Sequence, residues 1–464
     1  MTGPGRSRGA PRRARAVDRP REVAFEVLHA VRAEGAYTNL VLPAAIARAG
    51  LEGRDAGFVT ELTSGTIRRQ GTYDAILAAC IDRPLRKVQV GILDALRLGC
   101  HQLLAMRVAP HAAISTTVDL VRAQHGQGAA GFANAVLRKV AGRDLESWLD
   151  EVAPAGATGP GARAAALAVR HSHPRWVVEQ LEQAVPDGEI EDLLAADNVP
   201  PRVTLVARPG LADRAELPGA PTPFSPYGTV LEGGDPAAVP AVAEGRAGVQ
   251  DEGSQLVAHA LATAPLPGPD ERWVDLCAGP GGKAALLGAL AAQRGARLVA
   301  VERRPHRARL VARALQPLGA QPYGVVAADG TRAPFRPGEA DRVLVDAPCT
   351  GLGALRRRPE ARWRRVPGDL EELVLLQRRL LSAALDLVRP GGAVLYATCS
   401  PVLAETADVV RSVLDVRSDV ALEDVRPLLP GVDGADGPLE GTAQLWPHRH
   451  GTDAMFLALL RRTD

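Results

Sequence analysis

Apolar positions change their spacing along the chain, and each spacing predicts a different kind of unit. From Pro20 to about Leu149, Val23, Val27, Leu28 and Val31 recur at helical intervals, as do Ile92, Leu93, Leu96, Leu103 and Leu104, with glycines or prolines between the segments. Such spacing lines one face of a helix, so an all-α bundle is expected here. Residues 154–163 are rich in Gly, Pro and Ala and read as a linker. Beyond it, His173-Pro174-Arg175-Trp176 opens a helix through Leu181, a second helix covers Ile190 to Ala196, and Pro201 to Val206 reads as a strand. A Pro- and Gly-rich α+β segment then continues to about residue 245. From Gly248 onward short apolar runs alternate with helical patterns, with strands expected at Trp273–Leu276, Arg297–Val301, Tyr323–Val326, Asp341–Val345 and Ala393–Tyr396, and a last one near Met455–Leu460. Continuous apolar runs mark strands covered on both faces. Their alternation with helices predicts a Rossmann-like α/β domain, a doubly wound and mostly parallel sheet that binds ligands at its strand ends. The expected layout is a disordered basic arm at 1–17, an all-α domain at 18–150, a small α+β segment at 164–245 and the α/β domain at 246–464.

Charge sharpens this picture little. The 55 Lys and Arg nearly balance 53 Asp and Glu, so any affinity for nucleic acid must come from local patches. The only lysines are Lys87, Lys139 and Lys283. In so arginine-biased a chain an arginine run carries little information, and a surviving lysine carries more. Five scattered cysteines make no disulfide framework and no zinc spacing. No apolar stretch reaches the length of a membrane span, and no apolar core follows the arginine-rich start. A cytoplasmic, metal-free monomer with reduced thiols, not bound to membrane, is the expectation.

Candidate chemistry begins after the first α/β strand, in Asp275-Leu276-Cys277-Ala278-Gly279-Pro280-Gly281-Gly282-Lys283, where a helix starts. Glycines let backbone approach a ligand, and a helix start offers unpaired N–H groups. A nucleoside triphosphate would need the first glycine of a P-loop and a hydroxyl where Ala284 stands, and a dinucleotide would need G-x-G-x-x-G. S-adenosylmethionine, which has no phosphate, fits the loop Cys277 to Lys283. Glu302, ending the second strand, is placed for ribose hydroxyls. Asp329 is placed for the adenine amino group, and Asp346 borders the cofactor from the fourth strand.

Two thiols stand at neighbouring strand exits, Cys349 in Asp346-Ala347-Pro348-Cys349 and Cys399 in Thr398-Cys399-Ser400. A thiolate adding to carbon 6 of a pyrimidine makes carbon 5 nucleophilic toward a methyl donor. That chemistry needs a nucleophile, an acid near N3, which Asp346 can supply, and a group that assists elimination. The residues alone do not order the two thiols.

Those motifs, with Arg358-Pro359-Glu360-Ala361-Arg362-Trp363, resemble the RNA 5-methylcytosine methyltransferases. The front region, through Asn39 to Leu42, Phe58 to Thr66 and Gly131 to Val140, resembles a NusB-like RNA-binding domain, which points to the RsmB (Fmu/Sun) branch acting on 16S ribosomal RNA. The resemblance implies Cys399 as nucleophile and Cys349 as release cysteine. Glu302 stands where aspartate is commoner, Thr406 follows Glu405 in place of asparagine, and Thr452 to Phe456 has lost the glycine-aromatic character of the family's closing strand. Arg358, Arg362 and Trp363, in the basic run beside the Pro-Cys loop, are expected to contact RNA. Two alternatives are a transfer-RNA cytosine methyltransferase and a catalytically silent RNA-binding assembly factor.

Overall fold

Asp18 starts the first helix: its carboxylate accepts from the Arg21 N–H at 3.2 Å, and the helix Arg19–Ala33 turns Val23, Val27, Leu28 and Val31 into the core. The computed structural model describes residues 18–463 other than 155, 157, 158, 160 and 320–322, and these fall into two compact units, one ending at Ser172 and one beginning at His173. The expected basic arm, residues 1–17, lies outside the described residues.

The first unit is helical throughout. Its long helix Pro110–Val140 is interrupted at Gly126, whose φ of 83° divides it in two. Arg97 is buried between Asp74 and Asp94, which satisfy its guanidinium. The unit extends past the expected boundary near 150. The helix Ala162–Arg170 begins inside the expected linker and buries Leu167 and Ala168. The Thr72 hydroxyl donates to the Val169 carbonyl at 2.6 Å, and the Gly71 N–H to Ser172 Oγ at 2.9 Å.

The second unit opens with helices Arg175–Ala184 and Ile190–Ala196. A small antiparallel sheet follows, built from β1 (Thr204–Ala207), β2 (Ala220–Pro221), β3 (Gly228–Val230) and β4 (Ala247–Val249) in the order β2-β3-β1-β4. The large sheet contains β5 (Arg272–Asp275), β6 (Arg297–Val301), β7 (Tyr323–Val326), β8 (Ala340–Asp346), β9 (Val388–Thr398), β10 (Val420–Glu423), β11 (Ala443–Gln444) and β12 (Phe456–Arg462), ordered β10-β12-β9-β8-β5-β6-β7, with β11 also on β12. Strands β7, β6, β5, β8 and β9 run parallel, while β12 is antiparallel to both β9 and β10.

Side-chain alternation builds a core on each face. Trp273, Leu298, Leu344 and Leu395 pack with the helices Glu252–Thr263 and Gly282–Gln293, while Val274, Val343, Val345 and Tyr396 pack with Pro367–Leu387 and Ala407–Leu414. Chain order reverses beside β5, with β6 on one side and β8 on the other. That switch point opens a crevice at the carboxyl ends of β5, β6, β8 and β9. Among the described residues, no helix is long and apolar enough to cross a membrane.

Candidate active site at the strand ends

The loop leaving β5 is shaped by what stands around it. Asp275 is fully buried and accepts the Cys277 N–H at 3.1 Å. Burial, reinforced by the Asp346 charge, pushes its carboxyl up to about 7. A Cβ at 279 would collide with the Glu302 carboxylate, so glycine there lets the loop close onto that acid. Gly281 holds φ at 116°, and a Cβ on it would lie 2.7 Å from the Ala314 methyl. The helix Gly282–Gln293 therefore starts with no side-chain cap. Its first N–H groups are left for a ligand.

Two carboxylates border the same crevice. Glu302 follows β6, donates its N–H to the Val326 carbonyl at 3.0 Å and accepts the Arg304 N–H at 2.8 Å; its Oε2 lies 3.6 Å from Arg307 Nε. Asp329 follows β7 and accepts both the N–H and the hydroxyl of Thr331, at 3.0 and 2.8 Å. Those bonds hold its carboxyl below the usual range. Oδ1 is thus engaged in the turn, while Oδ2 faces Arg303 at 3.8 Å.

The two thiols meet. Because β8 and β9 are parallel neighbours, their exits emerge side by side, and Cys349 Sγ lies 3.5 Å from Cys399 Sγ. The hydrogen bond with Cys349 holds the Cys399 thiol below its ordinary value; Lys283 and Arg358 act in the same direction, against burial and the Asp346 charge. The same bond, with burial, pushes Cys349 well above its ordinary value. Of the two sulfurs, Cys399 is thus the one that more readily gives up its proton. Lys283 Nζ pairs with Asp346 Oδ2 at 2.9 Å. Burial opposes its charge, but Asp346 and Cys399 outweigh burial and raise it.

Reading the sequence assigned no chemical work to Glu405, which the structure places at the centre of the thiol loops. Fully buried, it accepts the Thr350 N–H at 2.7 Å, the Thr350 hydroxyl, and Gln377 Nε2 at 3.0 Å. Gln377 Nε2 also donates to the Pro348 carbonyl at 2.9 Å, and Thr350 Oγ1 lies 3.2 Å from Ser400 Oγ. The Gly353 N–H donates to the Cys399 carbonyl at 2.9 Å. A buried acceptor thus stitches together two loops about fifty residues apart, a link that local periodicity does not reveal. Glu405→Leu removes the acceptor from three buried donors and leaves the Thr350 N–H with no other partner, at a cost of about 1–3 kcal/mol for that group. We expect its thermal unfolding to move down by several degrees and any reaction at the thiols to slow about 100-fold as they lose register. Glu405→Gln, which keeps an acceptor oxygen, should fall between that variant and wild type in both assays.

The basic run after the Pro-Cys loop divides. Arg362 requires correction as an RNA contact: it is fully buried, with Nη1 donating to Asn198 Oδ1 at 2.9 Å and Nη2 to the Asp197 carbonyl at 3.2 Å. It ties this loop to the end of the helix Ile190–Ala196. Arg356 donates to the Gly451 carbonyl at 2.6 Å, and Arg357 grips buried Asp453. These side chains turn inward because a buried carboxylate and unpaired carbonyls need donors. Arg358 and Trp363 are half-buried. Arg365 donates to the Cys349 and Thr350 carbonyls at 3.3 and 3.2 Å.

Comparisons with known proteins agree with this architecture. Residues 262–461 match the family of the 16S rRNA methyltransferase RsmB/F, and residues 18–142 match the NusB family. The chain is 52% identical to the putative methyltransferase Rv1407 of Mycobacterium tuberculosis, over 98% of this chain and 99% of that one. It is 31% identical to the probable ribosomal RNA small subunit methyltransferase B of Bacillus subtilis, over 95% and 98% of the two chains. Among solved structures, that of PH0851 superimposes with a TM-score of 0.77 at 24% identity, over 96% of this chain and 99% of that one, a likeness of fold.

Proposed function

The chain belongs to the RsmB/F methyltransferase family, and from that premise we propose that it forms 5-methylcytosine in 16S ribosomal RNA with S-adenosylmethionine as methyl donor. The observation that carries the cytosine chemistry is the pair of thiols in contact, Cys399 the more acidic and Cys349 the less, beside the Lys283–Asp346 ion pair.

The donor, when bound, supplies an electrophilic methyl on a sulfonium. The residues around the crevice suit it. Cys277, Ala278, Gly279, Pro280, Gly281, Gly282 and Lys283 form a loop that brings backbone N–H groups to its amino-acid end, Glu302 offers its ribose an acceptor, and Asp329 and Asp346 border the remainder.

On this reading the Cys399 thiolate bonds to carbon 6 of the cytosine while the C5–C6 π pair moves to carbon 5, and the Lys283 ammonium, held by Asp346, offsets the negative charge developing toward N3. Carbon 5 takes the methyl group. Cys349 then removes the proton from carbon 5. It owes its raised proton affinity first to the hydrogen bond with Cys399 and then to burial, and the first of these is lost once that sulfur is bonded to carbon. Cys349 can then lose its own proton to solvent and accept the one from carbon 5. The freed pair restores the C5–C6 double bond and expels Cys399 as thiolate. Arg358 and Trp363 are the contacts proposed for the extruded base and its phosphates.

Purified protein incubated with unmodified 16S and transfer RNA and the methyl donor, followed by bisulfite sequencing, tests the assignment. We expect protected cytosine in 16S RNA only. Methylation confined to transfer RNA, or none, would overturn it.

A further inference from the structure

Gln250 joins the small sheet to the large domain. Its N–H donates to the Thr204 carbonyl of β1 at 2.9 Å, and its carbonyl accepts from Gln255 Nε2 at 3.0 Å. The next residue, Asp251, caps the helix Glu252–Thr263 by accepting the Gly253 N–H at 3.0 Å, and also accepts the Asp453 N–H at 3.1 Å. The backbone of Gln250 is therefore held from both sides. Its side chain is 7% exposed, yet among the described residues neither the amide oxygen nor the amide nitrogen has a hydrogen-bond partner. An amide buried in that state is unfavourable unless something completes it.

What it faces suggests what that is. Nε2 lies 3.9 Å from the position a Cβ on Gly282 would take, and Gly282 opens the helix that starts without a side-chain cap. A helix start without a side-chain cap and an amide without a partner thus lie close together. The helix start favours an anionic group. The amide offers donors and an acceptor together, so it can serve a carboxylate and an ammonium on the same carbon.

We propose that Gln250 binds the amino-acid end of the methyl donor, its amide nitrogen donating to the carboxylate and its amide oxygen accepting from the ammonium. This rests on adenosylmethionine being that donor. It makes the small sheet, which carries Gln250 at the end of β4, part of the cofactor site.

Calorimetric titration of the full chain with S-adenosylhomocysteine and with 5′-methylthioadenosine, which lacks the amino-acid end, separates the possibilities. In Gln250→Leu we expect the first ligand to weaken by about tenfold or more and the second to hold within about twofold. Gln250→Glu should weaken the first further, because its charge faces the carboxylate. Retained binding of methylthioadenosine also reports that the variant is folded. Equal weakening of both ligands would overturn the proposal, and so would unchanged S-adenosylhomocysteine binding, which with a raised KM for RNA would move Gln250 to the nucleotide. Wild-type protein that binds neither ligand would instead remove the donor reading on which the proposal stands.

Discussion

Cys399→Ser will lose methyl transfer by about four orders of magnitude, because the hydroxyl that replaces the thiol does not ionise near neutral pH and no other nucleophile stands in its place. The loss should fall on turnover, with RNA binding little changed, since the sulfur is in contact with its neighbouring thiol and removing it opens no large gap. A substrate containing 5-fluorocytidine makes the same point by trapping. Fluorine cannot leave carbon 5 as a proton does, so the adduct through sulfur persists in denaturing gels after one methyl transfer. We expect that band with wild-type protein and none with Cys399→Ala. A band of undiminished strength in the variant, or no band from the wild type, would eliminate Cys399 as nucleophile.

Removal of the second thiol should have the opposite signature. Cys349→Ala is expected to complete a first methyl transfer and then stall, accumulating protein linked to ordinary RNA while multiple turnover falls about 100-fold. It should also change the first thiol. The hydrogen bond from Cys349 is the leading influence holding Cys399 below its ordinary value, so without it the Cys399 pKa rises. Alkylation of Cys399 followed against pH should then show its midpoint displaced upward and its rate near neutrality reduced. Multiple turnover at the wild-type rate, or an unmoved alkylation profile, would contradict the division of labour between the two sulfurs.

Periodic features were readable along the chain, and features made by distant contact were not. The strands Arg297–Val301 and Tyr323–Val326 carry uninterrupted apolar runs and occur at the expected positions. By contrast β10 and β11 are not among the expected strands; β11 is two residues long, and both are defined by their pairing with β12. The helix Ala162–Arg170 begins in the last two residues of the stretch that reads as a linker, and its place in the first unit depends on Thr72 and Gly71, about a hundred residues earlier. At the site, strand topology explains why two thiols fifty residues apart touch. No pattern local to the chain separates Arg362, which is buried, from Arg358 four residues before it, and none indicates that Glu405 accepts from Thr350 and Gln377.

The contact between the sulfurs also has a stereochemical consequence. A separation of 3.5 Å leaves no space for a flat ring to slide between them, and the hydrogen-bonded ladder that pairs Asp346 with Ala397 keeps the two exits from spreading. A pyrimidine taking the proposed route would therefore lie across the pair and present one side to both. On the proposed route the methyl group arrives from the opposite side, so the hydrogen at carbon 5 is turned toward the sulfurs, and proton and thiolate depart from a single face of the ring.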